Sequence, residues 1–223
     1  MAFDSVNVRE PDGAARWIAA GRPIVPSLLA DGVASPILHV SQLASMLGLE
    51  APAQLEVTRL AWDAAAVLGA WIELIRPLDL ETLTAPTPSR GRSLRNLTVN
   101  VFHPFELLPG AFATGRFDWD PNLDEQREAA LGDATAVVRY AAERHLAWQD
   151  WLMEHDDDLV GRDPVVSSPR GSLSYANLLA SQRWHAAFHY RQLLVFLEGR
   201  GQDVAGALSL ASLADLELAP EVF

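Results

Sequence analysis

Two histidines lie four residues apart in the segment RWHAAFHYRQLL, residues 183–194, which otherwise has the composition of a helix. Because successive helical residues are offset by about 100°, the side chains of His185 and His189 are within about 40° of each other around the helix axis. Gln192 and Phe196 share their stripe, so the pair is expected to face the protein interior. An i,i+4 pair can offer two nitrogens to one metal ion, but buried imidazoles can also hydrogen-bond within a core. The spacing leaves both interpretations open.

A third histidine strengthens the metal interpretation. His103 lies in NLTVNVFHPFELLPG, on a predicted helical stripe with Val99 and Leu107, and is expected to face the same interior. Three imidazoles without a cysteine suit zinc or nickel, with iron(II) and cobalt as further candidates, and leave at least one position open for water or substrate. Glu106 is a candidate fourth ligand or proton acceptor beside them, although a surface carboxylate is the commoner case on a helix. Gln192 is a candidate hydrogen-bond partner of the ligands.

The composition narrows the chemistry that the chain can perform. It has 223 residues, a net charge of −12 and no cysteine, and none of its 17 basic residues is lysine. A protein thiol nucleophile, a disulfide, a thiolate metal ligand and a lysine Schiff base are therefore excluded. The negative charge argues against nucleic-acid binding, which needs a positive surface. The N-terminal segment is unlike a signal peptide and no apolar run reaches transmembrane length, so we expect a cytoplasmic protein without membrane partners.

Most of the chain, residues 51–223, is predicted to form a bundle of four long helices. The first helix carries a stripe of apolar side chains at helical spacing: Leu60, Ala64, Val67, Trp71 and Leu74. Ser93 and Asn122 are predicted to cap the second and third helices. The four helices are expected at about residues 53–76, 93–108, 122–153 and 172–199, with a kink at Pro104, a polar loop before Ser172 and the acids 156–158 beyond the end of the third helix.

The first fifty residues have a different pattern. Residues 4–8, DSVNV, alternate as a strand does, and residues 11–21 have the composition of a helix. Two further short strands are expected on either side of Asp31-Gly32, a hairpin turn signal. A short helix over residues 42–48 completes a predicted β-α-β-β-α unit, which makes the whole fold mainly α.

The histidine pattern resembles that of the DinB-like metal-binding four-helix bundles. It has a histidine late in the second helix and an HxxxH pair followed by glutamine and leucine in the fourth, here His103, His185, His189, Gln192 and Leu193. The family's usual arginine-glycine after the second histidine of the pair is replaced here by Tyr190-Arg191, which leaves the ligands unchanged. The resemblance implies a three-histidine metal site and, as in some relatives, a reaction that uses a low-molecular-weight thiol.

The N-terminal unit, residues 1–50, is similar to part of a glutaredoxin or thioredoxin fold, without its cysteine. In such folds the proline that matches Pro26 follows a cis peptide bond, and the residue before it pairs with the thiol through its backbone. The resemblance therefore implies a thiol contact at Val25 and Pro26. A three-stranded sheet this small cannot bury both faces alone, so we expect it to pack on the bundle, on a second copy in a homodimer, or on both.

Together these observations support an enzyme hypothesis and two alternatives. The first is a bacterial metal-dependent thiol S-transferase or isomerase, in which the metal lowers the pKa of a bound thiol that then attacks an electrophilic substrate. The second is a non-catalytic metal- or small-molecule-binding protein of stress response. The third is a structural bundle whose histidines fill the core.

Overall fold

Two units make up the chain, Met1–Gln54 and Leu55–Phe223. The structure is a computed structural model and describes residues 4–8, 10–22, 26–37, 40–50, 56–88, 91–168, 171–213, 216 and 218. None of the helices in these ranges combines the length and the apolar character that crossing a lipid bilayer requires.

The N-terminal unit contains a β-hairpin between two short helices. Its elements are α1 (Pro11–Ala19), β1 (Ser27–Ala30), β2 (Val33–Pro36) and α2 (Val40–Met46). The strands pair antiparallel with Ala30 opposite Val33, so Asp31 and Gly32 alone form the turn. Both turn residues have positive φ, 50° and 78°, as a two-residue type I′ turn requires. The predicted hairpin around Asp31-Gly32 is confirmed.

The predicted strand at residues 4–8 is wrong, and with it the three-stranded sheet and the β-α-β-β-α order. This segment turns back onto the start of α1 instead. The carbonyl of Asn7 accepts the N–H of Glu10, and the Asn7 amide donates to the Glu10 carboxylate at 3.3 Å. A Cβ on Gly13 would lie 1.9 Å from the Asn7 carbonyl oxygen, so a larger residue would prevent this approach. Local hydrogen bonding by asparagine replaces strand pairing here, and the described order is α-β-β-α.

The predicted thiol contact falls partly outside the described residues. Val25 and the peptide bond before Pro26 lie there, so the predicted cis bond stays a prediction. Pro26 itself precedes β1, and its carbonyl accepts the N–H of Ile37 at 2.9 Å, which closes the open end of the hairpin. The β1–β2 hairpin also rules out a helix over residues 27–36.

The second unit is built around four long helices. Its elements are α3 (Val57–Ile75), α4 (Leu80–Thr84), α5 (Leu94–Thr114), α6 (Pro121–Ala130), α7 (Ala134–Gly161), β3 (Val165–Ser168), β4 (Gly171–Ser174) and α8 (Tyr175–Gly199), followed by a 3₁₀ turn at Leu210–Ser212. The predicted cap of α5 is confirmed, because the Ser93 hydroxyl accepts the N–H of Asn96 at 3.0 Å. The predicted stripe of α3 is buried at Leu60, Ala64, Val67 and Trp71.

The long helices pack in an order that differs from their order along the chain. Both α3 and α5 pack principally against α7 and α8, so α3 and α5 occupy opposite corners of the bundle. The indole N–H of Trp71 on α3 donates to the Thr98 hydroxyl on α5 at 3.1 Å, which satisfies this buried donor. On α7, Trp148 packs edge-on against Phe105 of α5. Aromatic side chains thus fill the space between all four helices.

The third long helix differs from its prediction at both ends. Residues 122–153 were expected as one helix, but it breaks into α6 and α7 because Asp133 starts a new helix by accepting the N–H of Ala136 at 2.7 Å. At the other end α7 continues past the acids 156–158 to Gly161. The non-helical backbone of His155, with φ −123° and ψ 15°, bends α7 so that Leu159 is buried.

Two further boundaries differ from the predictions. The polar loop before α8 contains the β3–β4 hairpin, and α8 begins after a cap by Ser174 rather than near Ser172. The second helix extends to Thr114, where Gly115 adopts a left-handed conformation with φ 71°. The carbonyl of Gly115 accepts the N–H of Ser167 at 2.8 Å, so the β3 strand is held against the end of α5.

His145, a half-buried histidine of α7 that is not one of the three candidate ligands, packs against α3. Burial lowers the pKa of the His145 imidazole, and the neighbouring backbone of Ala65 opposes this shift without cancelling it. A Cβ on Gly69 would lie 3.2 Å from the His145 ring, so glycine at this helical position makes room for the imidazole. His145 is therefore a packing residue of the α3–α7 interface.

This lowered pKa predicts a pH dependence of stability. The unfolded chain binds a proton at His145 near pH 6.5, whereas the folded protein binds it only at lower pH. The free energy of unfolding should therefore fall as the pH decreases through about 6.5, and a His145→Gln variant should lose part of that slope. Urea unfolding of both proteins between about pH 8 and pH 5 measures the difference. Identical slopes would contradict the prediction, since the other histidines contribute equally to both.

Candidate functional site

The three predicted histidines lie on α5 and α8, two neighbouring helices of the bundle. His103 is on α5, and His185 and His189 are on α8. The short polar helix α6 packs on α5 and contributes Asp124. Asn100, one turn before His103 on α5, completes the group. These five side chains and Gln192 of α8 form one set of polar contacts, which we call the histidine cluster.

His103 is held by a buried carboxylate. Its side chain is 1% exposed and that of Asp124 is 5% exposed, and the ring Nδ1 lies 2.5 Å from the carboxylate Oδ1. A carboxylate oxygen in such a pair accepts, so Nδ1 of His103 donates. In the neutral ring the remaining nitrogen, Nε2, is then the basic one. The contact fixes both the orientation and the tautomer of the imidazole.

Asn100 hydrogen-bonds to both Asp124 and His185 and so connects the α6 carboxylate to α8. Its Nδ2 donates to Oδ2 of Asp124 at 3.2 Å, so both carboxylate oxygens are engaged. This leaves the amide oxygen of Asn100 as an acceptor, and it receives Nε2–H of His185 at 3.1 Å. The Arg92 guanidinium also lies 3.4 Å from that oxygen. The orientation of one amide thereby determines the His185 tautomer.

His189 is oriented by a residue of its own helix. Its Nδ1 lies 2.7 Å from Oε1 of Gln192, an acceptor, so Nδ1 carries the proton and Nε2 is the basic nitrogen. The rings of His185 and His189 meet edge to face with centroids 4.6 Å apart. Gln192 therefore contacts His189, and its role beside a bound ion stays a prediction.

The three histidines are joined in one network, but they do not surround one point as ligands would. Within the described part of the chain, no group of three or more histidine, aspartate or glutamate side chains is arranged to hold a metal ion. Nε2 of His185 donates to the Asn100 oxygen at 3.1 Å, so this nitrogen is engaged by a protein group. A shared ion at the three rings therefore stays a prediction.

The other candidate residues lie away from the cluster or in a different environment. Glu106 is 37% exposed and pairs with Arg127 and Arg144, so its carboxylate is engaged by arginines of α6 and α7. Arg183, two residues before His185 on α8, is buried. It pairs with Asp63 of α3 at 2.8 Å, which compensates its charge.

The sequence pattern missed two members of the cluster, Asn100 and Asp124. Asn100 could have been found, because an i,i+3 position shares a helical face with His103. Asp124 could not, since in a single helix over residues 122–153 nothing distinguishes it from neighbouring acids. Its burial depends on the break at Asp133, which lets α6 pack as a separate helix against α5.

Comparison with known proteins identifies a shared fold. YfiT from Bacillus subtilis, described as a probable metal-dependent hydrolase with an unusual four-helix bundle topology, superposes with a TM-score of 0.55 at 13% sequence identity. The match covers 69% of this chain and 93% of YfiT. No protein-family model matches the sequence, and no curated protein matches it. The likeness to YfiT therefore concerns the four-helix bundle alone.

The role of Asp124 can be tested without any bound ligand. In the wild type, ring ¹⁵N shifts should show neutral His103 protonated at Nδ1. In Asp124→Asn one of the two oxygens becomes an NH2 group, which cannot accept from His103 or from Asn100, so one of these donors loses its acceptor. His103 should then lose its single tautomer, and we expect a stability loss of about 1–3 kcal/mol. Glu128→Gln is the matched control, since Glu128 binds Ser93 and Asn96 at the α5 N-terminus without contacting a histidine. An Nε2–H tautomer in the wild type would contradict the assignment.

Proposed function

We propose that this protein is a metal-dependent enzyme of the DinB-like type, with His103, His185 and His189 as the ligands of one divalent ion. The observation that carries the proposal is the hydrogen bonding of the His103 and His189 rings. His103 and His189 each donate Nδ1–H to an oxygen acceptor and keep Nε2 as a base. Metal-binding histidines are commonly oriented in this way by a carboxylate or carbonyl on the opposite nitrogen. The description of YfiT as a probable metal-dependent hydrolase supports the same assignment.

The donor set fits a divalent ion. In the neutral rings His103 and His189 keep Nε2 as the basic nitrogen, and His185, which donates Nε2–H to Asn100, keeps Nδ1. Neutral imidazoles without thiolates suit zinc or nickel, and also cobalt or iron(II). Such an ion lowers the pKa of a water or thiol bound at an open position. Asp124, Asn100 and Gln192 would hold the rings in place.

Two reaction classes follow from this chemistry. With water as the nucleophile the enzyme is a hydrolase, which is the class attributed to YfiT. With a low-molecular-weight thiol it is a thiol S-transferase or isomerase, and the nucleophile has to come from the small molecule because the chain has no cysteine. The thiol hypothesis also includes the predicted thiol contact at Val25 and Pro26 and the predicted similarity of the N-terminal unit to glutaredoxin. A reaction that proceeds only with added thiol marks the thiol class, and a hydrolysis product formed without thiol marks the hydrolase.

A hydrogen-bonded core without metal is the competing interpretation. It is favoured by the partners that each histidine already has, namely Asp124, Asn100 and Gln192. The same partners are compatible with a protein that binds metal without catalysis. Metal content therefore has to be measured before activity.

We expect the purified protein to bind one divalent ion and His189→Ala to lose it. Elemental analysis and a cobalt(II) titration measure the stoichiometry. Helix content should be unchanged, because the apolar core does not involve the cluster. With free metal at about a hundredfold excess over Kd, the wild type should gain about 2.7 kcal/mol over its chelator-stripped form, and the variant should gain nothing.

His155→Ala is the matched control for this experiment, since His155 stacks on Trp151 outside the cluster. It should bind metal as the wild type does. A wild type that binds no divalent ion would favour the hydrogen-bonded core. Unfolding of the wild type by chelator would mark the ion as structural and remove the support for an open catalytic position.

A further inference from the structure

We infer that Arg92 and Trp119 form a subsite for a carboxylate group beside His185, and that the substrate is therefore a small carboxylic acid. This inference rests on the proposed function, because it names the substrate class of the same site. Its evidence is two hydrogen-bond donors near His185, the Arg92 guanidinium and the Trp119 indole N–H, whose hydrogen-bonding capacity is largely unused in the described residues.

Arg92 is the first of these donors. It lies immediately before the Ser93 cap of α5, and its carbonyl accepts the N–H of Thr87 at 2.8 Å, so the backbone is anchored. The partly buried guanidinium reaches Oδ1 of Asn100 at 3.4 Å, the outer limit of a hydrogen bond. His185 donates to the same oxygen. The guanidinium and the His185 ring are consequently neighbours.

The charge of Arg92 has no compensating carboxylate within the described residues. Four other arginines that are mostly shielded from solvent each have one: Arg95 with Glu128, Arg127 and Arg144 with Glu106, and Arg183 with Asp63. Arg92 has five N–H donors and a single long contact to a neutral amide. In a chain with a net charge of −12, a partly buried arginine is expected to find a carboxylate. The carboxylate of a ligand would compensate the charge of Arg92.

Trp119 supplies the second donor. Its ring centroid lies 6.0 Å from that of His185 at an interplanar angle of 59°. Its indole N–H is buried and has no hydrogen-bond partner among the residues that the structure describes. Indole nitrogen can only donate, and a buried donor without an acceptor is destabilising. An acceptor from outside the chain would satisfy it.

The two donors together select the ligand class. Both require an acceptor, and the planar guanidinium matches a planar carboxylate through two parallel hydrogen bonds. The indole N–H can donate to a ligand oxygen beside it, and its ring provides an apolar wall. A substrate held in this way has its carboxylate next to His185, with the rest of the molecule toward the histidine cluster.

Binding of acetate and succinate to the metal-free full-length protein tests the subsite, with inorganic phosphate as the comparison anion. We expect saturable shifts of the Trp119 indole N–H and the Arg92 side-chain N–H in NMR spectra. Arg92→Gln should weaken carboxylate binding at least about tenfold, because it removes charge-assisted hydrogen bonds. Arg92→Lys, which keeps the charge without the fork, and Trp119→Phe, which keeps the ring without the N–H, should each weaken it by a smaller factor.

The matched control is Arg139→Gln, which removes the same charge from an exposed site on α7 and should bind carboxylates as the wild type does. Equal binding by Arg92→Gln and the wild type, or saturable binding of phosphate without carboxylates, would overturn the inference. His189→Ala separates it from the proposed function, since this variant should lose metal and still bind carboxylate. Carboxylate binding by a protein that takes up no metal would support the subsite and leave only the metal proposal contradicted.

Discussion

One buried carboxylate determines the state of the whole histidine cluster. Asp124 comes from α6, a polar helix, and both of its oxygens are engaged on α5. Removing it would leave His103 and the Asn100 amide without their acceptor in a buried environment, where each lost partner is costly. Because Asp124 accepts the Asn100 N–H, the Asn100 oxygen faces His185. The tautomers of His103 and His185 therefore follow from a single charged side chain.

The bundle supports this cluster without depending on it. Its helices pack mainly as α3 or α5 against α7 and α8, with Phe105 of α5 against Trp148 of α7, while Trp71 of α3 contacts Phe102 of α5. None of these side chains belongs to the cluster. The packing order still matters for the site, because it makes α5 and α8 neighbours and so brings His103 near the α8 pair. A polar cluster on an apolar frame can change its ligands without loss of the fold.

The sequence predicted those features that local rules control. The 3.6-residue period put His185 and His189 on one face, a serine hydroxyl capped α5, and Asp31-Gly32 made the hairpin turn. The errors came where two local signals compete. Asp133 and Asn122 are both helix-capping residue types, and the cap at Asp133 splits the predicted helix. Asp124 and the unpaired donors beside His185 depend on contacts between distant segments, which no period or cap encodes.

The cluster also connects the two proposed ligands through one atom. Oδ1 of Asn100 accepts from His185 and lies at the limit of contact with Arg92. An ion bound at Nδ1 of His185 would polarise the Nε2–H that donates to this oxygen. A carboxylate bound to Arg92 would compete with the same oxygen for the guanidinium. Under the two proposals, ion and carboxylate binding would therefore be coupled through Asn100, and thermodynamic linkage requires each to change the affinity of the other by the same factor.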